Sequence, residues 1–164
     1  GAFNSRLNLN LRETKGYTYG IRSGFSGSHY PGVFEVSASV KRTATDSCVR
    51  EIMKELHDYS SAGPNDDEVS FTKNSMLNSE ALRYETSFDK ARFLYQVIEY
   101  NLSREFRAEQ AKIVQGMSKG DFSSLAKKYI NPDKMVILVV GNKYLIKDKL
   151  EKLGYGKVKE VELQ

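Results

Sequence analysis

The sequence has few of the residues that build metal sites and disulfides. It contains one cysteine, Cys48, and two histidines, His29 and His57. A single cysteine excludes an internal disulfide, and Cys48 lies in an apolar helical stripe, where a small buried hydrophobe is expected rather than a nucleophile. No second histidine lies within two helical turns of His57, and His29 falls in a loop, so neither is expected to bind a metal. The sequence therefore predicts no metal site and no cofactor in this chain alone.

Long apolar runs, internal repeats and low-complexity segments are also missing. The longest apolar run, Met135 to Val140, has the length of a strand and is too short to span a membrane. The net charge of +4 is small and spread along the chain, without the combined aromatic and basic pattern of a nucleic-acid-binding protein. We expect a soluble protein with no membrane span and no nucleic-acid partner. Composition leaves the choice between cytoplasm and periplasm open.

The usual motifs of an independent hydrolase or nucleotide-binding enzyme are not found either. There is no Gly-x-Ser-x-Gly sequence for a nucleophilic serine, and no glycine-rich loop followed by Lys-Ser/Thr for a phosphate. The acidic pair Asp66-Asp67 is better explained as the first turn of a helix than as an acid–base dyad. Catalysis by this chain alone is therefore not predicted.

Two alternating segments near the start of the chain predict a β-hairpin. In each segment apolar and polar residues alternate with the period of a strand. The expected apolar faces are Tyr17, Tyr19 and Ile21 in the first strand and Phe34, Val36, Ala38 and Val40 in the second. Glycines and Pro31 punctuate the loop between them, which favours an antiparallel pair with one face in water.

Helical patterns occupy most of the remaining sequence. A short helix is predicted from Asn4 to Thr14, ended by Gly16, and a longer one carries the stripe of Cys48 and ends at Gly63-Pro64. Further helices are predicted from residue 65 to about 84, within 91–102 and 106–117, from a cap at Asp121 to residue 129, and over 144–153. The inward faces of three of them are expected to include Leu94, Tyr95, Ile98, Ile113, Phe122, Leu125, Ala126 and Tyr129.

Two further strands are predicted near the end of the chain. The unbroken apolar run 135–140 is typical of a deeply buried central strand, and the imperfectly alternating segment 157–163 of an edge strand. The order of a hairpin, several helices and a returning strand predicts an α+β fold, with helices packed on one face of a mainly antiparallel sheet. We predict a single domain over residues 1–164.

One local arrangement suggests a binding function. Arg12, at a predicted helix end, precedes Tyr19, on a predicted strand, by seven residues, and the turn at Gly16 can fold these two elements together. A guanidinium beside a phenol makes a pair of donors for a carbonyl or carboxylate oxygen. Chemistry alone gives more weight to the alternative of a surface arginine and a packed tyrosine.

The order of several short motifs resembles the second domain of insulinase/pitrilysin-type zinc peptidases. The motifs are Asn4-Ser5-Arg6-Leu7, then Leu11-Arg12-Glu13-Thr14-Lys15-Gly16 with Tyr19, then Pro31-Gly32-Val33-Phe34, the Gly63-Pro64 segment, and Tyr129-Ile130-Asn131-Pro132-Asp133 before the apolar run that ends at Gly141. Each motif is weakly specific. Their order and spacing over nearly the whole chain are specific.

This resemblance implies a mitochondrial-processing-peptidase-like half-domain without metal. In such peptidases two halves face each other around a chamber, and the other half carries an H-x-x-E-H zinc motif, which this chain lacks. The arginine–tyrosine pair of the metal-free half holds a substrate carbonyl, and it falls here on Arg12 and Tyr19. The resemblance also implies an opening strand and helix before Gly1, so the sequence is expected to be the latter part of one half.

Two functional hypotheses follow. The first is the substrate-binding half of a zinc metalloendopeptidase, with peptide substrates and with zinc in a catalytic partner domain or subunit of the same family. The alternative is a non-catalytic structural or assembly subunit of the same fold. The presence of both Arg12 and Tyr19 favours the first hypothesis, because an assembly subunit has no need of the pair.

Overall fold

The computed structural model describes residues 4–27, 29–82 and 84–161, leaving aside the side chains of 78–82. A π-helix, Asn8–Thr14, precedes strands β1 (Thr18–Ser26) and β2 (Val33–Val40), and six α-helices follow: α1 (Thr45–Ala62), α2 (Asp66–Leu82), α3 (Ser87–Glu99), α4 (Phe106–Gly116), α5 (Lys119–Tyr129) and α6 (Lys143–Glu151). Short 3-10 turns lie at Arg42–Ala44 and Pro132–Lys134. The predicted α+β class is confirmed.

The chain forms two compact units. The first comprises residues up to Asp58 together with those from Ile130 onward, and the second comprises Tyr59–Tyr129. The first unit contains the π-helix, the hairpin and α6, and the second contains α2 to α5. The prediction of a single domain over 1–164 stays a prediction.

The N-terminal helix and its end agree with the sequence prediction. Its last turn is widened, since the Lys15 N–H donates to the Asn10 carbonyl five residues back, at 3.0 Å. Gly16 follows with φ 60°, a left-handed conformation that glycine adopts without steric cost. The Tyr17 N–H then donates to the Leu11 carbonyl at 2.8 Å, which turns the chain back towards the helix.

The hairpin is antiparallel and has one covered face. Ile21 lies opposite Ala38 and Phe25 opposite Phe34, and the two phenyl rings lie 4.9 Å apart. In β2, Phe34, Val36 and Val40 are half-buried while the residues between them are exposed. The predicted phase of the second strand is confirmed for Phe34, Val36 and Val40, but Ala38, predicted on the same face, is exposed.

The predicted phase of the first strand is wrong at Tyr19. The register contains one extra residue in β1, because Thr18 pairs with Val40 but Ile21 pairs with Ala38. Such a bulge reverses the alternation at that point. Thr18 and Ile21 are therefore both buried, and Tyr19 faces solvent.

The core of the first unit lies between the π-helix, the hairpin and α1. Its buried members are Leu7, Leu11, Ile21 and Cys48, with Leu11 fully covered. Burial of a leucine side chain stabilises a fold by about 1.5–3 kcal/mol. The prediction that Cys48 is a small buried hydrophobe is confirmed, since its side chain is 2% exposed.

Capping interactions define the helix starts in the second unit. The Asn65 side chain accepts from the Glu68 N–H at 2.8 Å while the Glu68 carboxylate accepts from the Asn65 N–H at 2.7 Å, a reciprocal capping box. At α5 the prediction of Asp121 as the cap needs correction. The cap is Ser118, whose hydroxyl accepts from the Asp121 N–H at 3.2 Å, and the Asp121 carboxylate accepts from the Ser118 N–H at 2.7 Å.

Several helix faces that were predicted to be inward are exposed. Of the predicted α5 face, Ala126 is buried but Leu125 and Tyr129 are exposed. In α3 and α4 no described residue is buried. Their exposed apolar residues include Leu94, Tyr95, Ile98 and Ile113. Periodicity located these helices correctly, but over the described residues it did not show that these apolar side chains remain exposed.

The two C-terminal strands were also predicted wrongly over their described residues. The segment 135–140 pairs with no strand in the described chain, and Val136 and Val140 are 92% and 88% exposed. The tail is not a strand over 157–161, and its predicted residues 162 and 163 lie outside the described part. A strand forms only where a neighbour completes its hydrogen bonds, and the described chain supplies none.

Candidate functional site

Arg12 lies in the last turn of the π-helix and is partly covered. Its side chain is 34% exposed, and its Nε lies 3.3 Å from a carboxylate oxygen of Glu13. A surface contact of this kind is weak and is readily exchanged for another acceptor. The contact with Glu13 alone would not hold the guanidinium in one orientation.

Tyr19 lies at the bulge of β1 and projects into solvent, with 94% of its surface exposed. Within the described chain its hydroxyl makes no hydrogen bond, and none joins it to Arg12. Sequence reasoning placed Tyr19 in the strand but missed the bulge that turns it outward. The structure thus places the two predicted residues on adjacent elements, with no hydrogen bond between them.

The hydroxyl of Thr18 stabilises the bulge beside Tyr19. It accepts from the Gly20 N–H at 3.1 Å and lies 2.7 Å from the Ser39 carbonyl and 2.8 Å from the Gly20 carbonyl. One hydroxyl proton serves one carbonyl at a time. These contacts fix the backbone on both sides of Tyr19, whose side chain is exposed.

Asn8 joins the π-helix to β1 and was missed by sequence reasoning. Its amide donates to the Ile21 carbonyl at 3.1 Å and accepts from the Ile21 N–H at 3.1 Å. Both Asn8 and Ile21 are buried. Asn8 lies one helical turn before Arg12, and Ile21 lies two residues after Tyr19. This pair of hydrogen bonds therefore holds together the two backbone segments that carry the predicted site residues. No motif reveals it, because the partner is a backbone group.

Two acidic residues of α1 anchor the same helix from its other side. Glu51 accepts from Lys15 Nζ at 2.9 Å and from the Asn10 amide at 3.1 Å, and Glu55 accepts from the Asn10 amide at 2.7 Å. The hydrogen bond from Lys15, together with that from Asn10, lowers the pKa of Glu51, and the bond to Glu51 raises the pKa of Lys15. The helix that carries Arg12 is thus held by both β1 and α1.

Cys48 and the histidines have no arrangement suited to catalysis. Burial raises the pKa of the Cys48 thiol to about 11, so it is protonated at neutral pH and is a poor nucleophile. Nε2 of His57 lies 3.5 Å from a carboxylate oxygen of Asp133. Over the described ranges, no three histidine, cysteine, aspartate or glutamate side chains are grouped to hold a metal ion. The described residues therefore do not fit a zinc site.

None of the described helices has the length and apolar character needed to cross a membrane.

The fold and this arrangement resemble a non-catalytic domain of the M16 peptidases, the insulinase/pitrilysin family. Residues 1–76 match the family model described as the peptidase M16 inactive domain. This stretch contains the π-helix, the hairpin, α1 and the first part of α2. The family resemblance predicted from the sequence is confirmed.

Two further comparisons give the same likeness. The non-peptidase homolog YmxG of Helicobacter pylori is 28% identical over 146 residues, which cover 87% of this chain and 33% of that protein. The crystal structure of the peptidase M16 inactive domain from Pseudomonas fluorescens aligns with a TM-score of 0.74 at 23% identity, over 82% of this chain and 32% of that one. At this identity the structural match concerns the fold. The chain spans about one third of the length of either relative.

Proposed function

We propose that this chain is the metal-free, substrate-binding part of a zinc metalloendopeptidase. Arg12 and Tyr19 would donate hydrogen bonds to a backbone carbonyl of an extended peptide. The zinc and the H-x-x-E-H motif would belong to a catalytic domain or subunit of the same family, since the described residues contain no zinc ligand set. On this proposal the chain binds and orients the peptide, and hydrolysis takes place elsewhere.

The anchoring of the two donors is the observation that carries this proposal. Asn8 ties the helix of Arg12 to the strand of Tyr19, and Thr18 fixes the bulge that exposes the phenol. On this proposal these contacts preorganise the backbones of both residues, and the side chains would turn to an incoming oxygen. Preorganised donors stabilise charge that develops on a carbonyl oxygen because they need little rearrangement during reaction.

A structural or assembly role is the second candidate function. The observation that favours it is the relative described as a non-peptidase homolog. On this alternative the M16 fold supports association with a partner, and Arg12 and Tyr19 are surface residues. The two candidates differ in whether removing the donor groups alters peptide cleavage.

The test is peptide cleavage by this chain combined with a catalytic M16 partner. Without the partner, the chain should bind no stoichiometric zinc and show no turnover. With it, Arg12→Ala should lower kcat/KM by about 10²–10³-fold, the range for loss of one such donor. Tyr19→Phe, which removes only the hydroxyl, should also lower it.

Arg22→Ala provides the matched control, because Arg22 is an exposed arginine of β1, the strand that carries Tyr19. It should leave kcat/KM unchanged. Equal activity of the Arg12→Ala and Arg22→Ala complexes would refute the substrate-binding role. Stable assembly with partners but no cleavage in any combination would support the structural alternative.

A further inference from the structure

The second unit contains a cleft that the proposed function does not use. Its volume is about 150 Å³, and it lies between α3, α4 and the residues just before α3. Six residues line it: Tyr84, Asp89, Arg92, Phe93, Gln96 and Arg107. The lining of the cleft thus contains two guanidinium groups, one carboxylate and two aromatic rings.

The guanidinium of Arg107 is incompletely satisfied. It donates to the side-chain oxygens of Gln96 at 3.4 Å and Gln110 at 3.3 Å, both long hydrogen bonds. Its Nε is buried and has no hydrogen-bond acceptor in the described chain. A buried polar group without a partner is costly, and in native proteins it usually marks a missing water, ion or ligand.

No described carboxylate forms an ion pair with either arginine of the cleft. Neither Arg92 nor Arg107 has an acidic oxygen within 4.0 Å among the described residues. The described contacts of Arg92 are with the Phe88 ring, whose centroid lies 4.9 Å from its Cζ. Arg107 lies 6.0 Å from the centroid of Phe93 and 5.7 Å from that of Phe106. Stacking on rings leaves the N–H edges of a guanidinium available for an anion.

We propose that this cleft binds a carboxylate carried on a small apolar or aromatic body. Arg107 and Arg92 donate to the carboxylate oxygens, and the rings of Tyr84 and Phe93, which meet edge to face at 5.2 Å, contact the apolar body. The donors of a guanidinium match a carboxylate in geometry as well as in charge. A free organic acid and the C-terminus of a peptide share this chemistry.

The presence of Asp89 favours a carboxylate over a phosphate. Its carboxylate lines the cleft and accepts from the Thr86 hydroxyl, so the net charge of the three ionised lining residues is only about +1 at neutral pH. A singly charged ligand neutralises this charge, whereas a dianion is repelled by Asp89. The cleft, with a volume of about 150 Å³, admits a small ligand group.

Titration of the full chain with benzoate, monitored by NMR at the Arg107 side-chain Nε–H, tests the proposal. Benzoate should shift this signal in a saturable manner, and neutral benzamide should leave it unchanged. Arg107→Gln should weaken benzoate binding, followed at the backbone amides of α3, by about tenfold to a hundredfold, as expected for loss of a charged hydrogen-bonding partner. An acetylated peptide with a free C-terminus, compared with its amidated form, distinguishes a peptide ligand from a small acid.

The controls separate the cleft from general surface charge and from misfolding. Arg104→Gln, an exposed arginine three residues earlier, should leave binding unchanged. If Arg107→Gln fails to fold, as judged by circular dichroism, Arg92→Gln replaces it. Equal shifts with benzamide, tighter binding of inorganic phosphate, or an equal loss in Arg104→Gln would each overturn the proposal. These results do not depend on peptide cleavage, so they leave the roles of Arg12 and Tyr19 to their own test.

Discussion

Asn8 is the residue on which the junction between the π-helix and β1 most directly depends. Its amide satisfies both backbone groups of Ile21 inside the core, where water cannot replace it. An isolated asparagine in a helix carries no pattern, so sequence reasoning could not assign it this role. By contrast, Arg12 and Tyr19 were predicted as a pair because a family motif contains them.

We expect Asn8→Asp to destabilise the chain by roughly 2–4 kcal/mol, because a buried carboxylate would face the Ile21 carbonyl without a proton to donate. Urea unfolding followed by circular dichroism measures the change. The variant Asn131→Asp is the comparison and should change the free energy of unfolding little, since Asn131 is exposed and its side chain makes no cap hydrogen bond. An unchanged unfolding free energy for Asn8→Asp would contradict the assigned role.

At the scale of elements, α6 is tied to the tail that follows it by a small ionic cluster. The Glu160 carboxylate accepts from Lys143 and Lys147, each at 2.8 Å. These hydrogen bonds and the two positive charges lower the pKa of Glu160 from 4.5 to about 2. The cluster is exposed, so its interaction is screened by salt.

The pH dependence of this cluster follows from the sign of the shift. Because the pKa of Glu160 is lower in the folded state, the stabilisation is present above about pH 4.5 and is lost as the pH falls towards 2. Carbon-detected NMR should give a midpoint near 2 for the Glu160 carboxylate. About 1 M salt should raise this midpoint, since the Debye length falls to ~3 Å. A midpoint near 4.5 at low salt would show that the cluster does not form.

The apolar segment 135–140 is the element in which sequence and structure differ most. Its composition is that of a core strand, yet Val136, Leu138 and Val140 are exposed. A strand needs a neighbour as well as a suitable composition, and single-sequence periodicity does not show whether a neighbour is present. The same reason explains the exposed apolar faces of α3 and α4.

We expect the double variant Val136→Lys/Leu138→Lys to raise the solubility of the chain without loss of stability. An exposed apolar segment with free backbone groups promotes association between chains. Light scattering as a function of concentration, together with the urea midpoint, measures both effects. Ile21→Lys, in the buried core, is the destabilising comparison. A comparable loss of stability in the double variant would indicate that the segment is buried in solution.

At the scale of the whole molecule, the fold class and the helix positions were predictable, whereas the division into two compact units was not. Helix ends are determined by nearby residues, here by Gly16, by Gly63-Pro64 and by the Asn65–Glu68 pair. Compact units depend on long-range contacts, which leave no local signal. The residues of α1 belong in part to each unit, so melting of this helix affects both.

We expect urea to unfold the chain in a single transition, as predicted for one domain. Two probes test this: alkylation of Cys48, which is buried in the first unit, and the circular dichroism of all helices. Cys48 should stay unreactive at neutral pH until unfolding exposes it and removes the burial that raises its pKa to about 11. Coincident midpoints would support one cooperative domain, and separated midpoints would show that the units unfold independently.

The bulge in β1 has a consequence for comparing this chain with its relatives. The extra residue falls between Thr18 and Ile21, and a side chain at Gly20 would meet no atom within 4 Å. A chain one residue shorter at Gly20 could keep Thr18 and Ile21 inward and Tyr19 outward by restoring plain alternation. A relative that aligns with a one-residue gap directly after the tyrosine can therefore still expose its phenol in the same way. A difference in length at this point does not by itself signify a change of function.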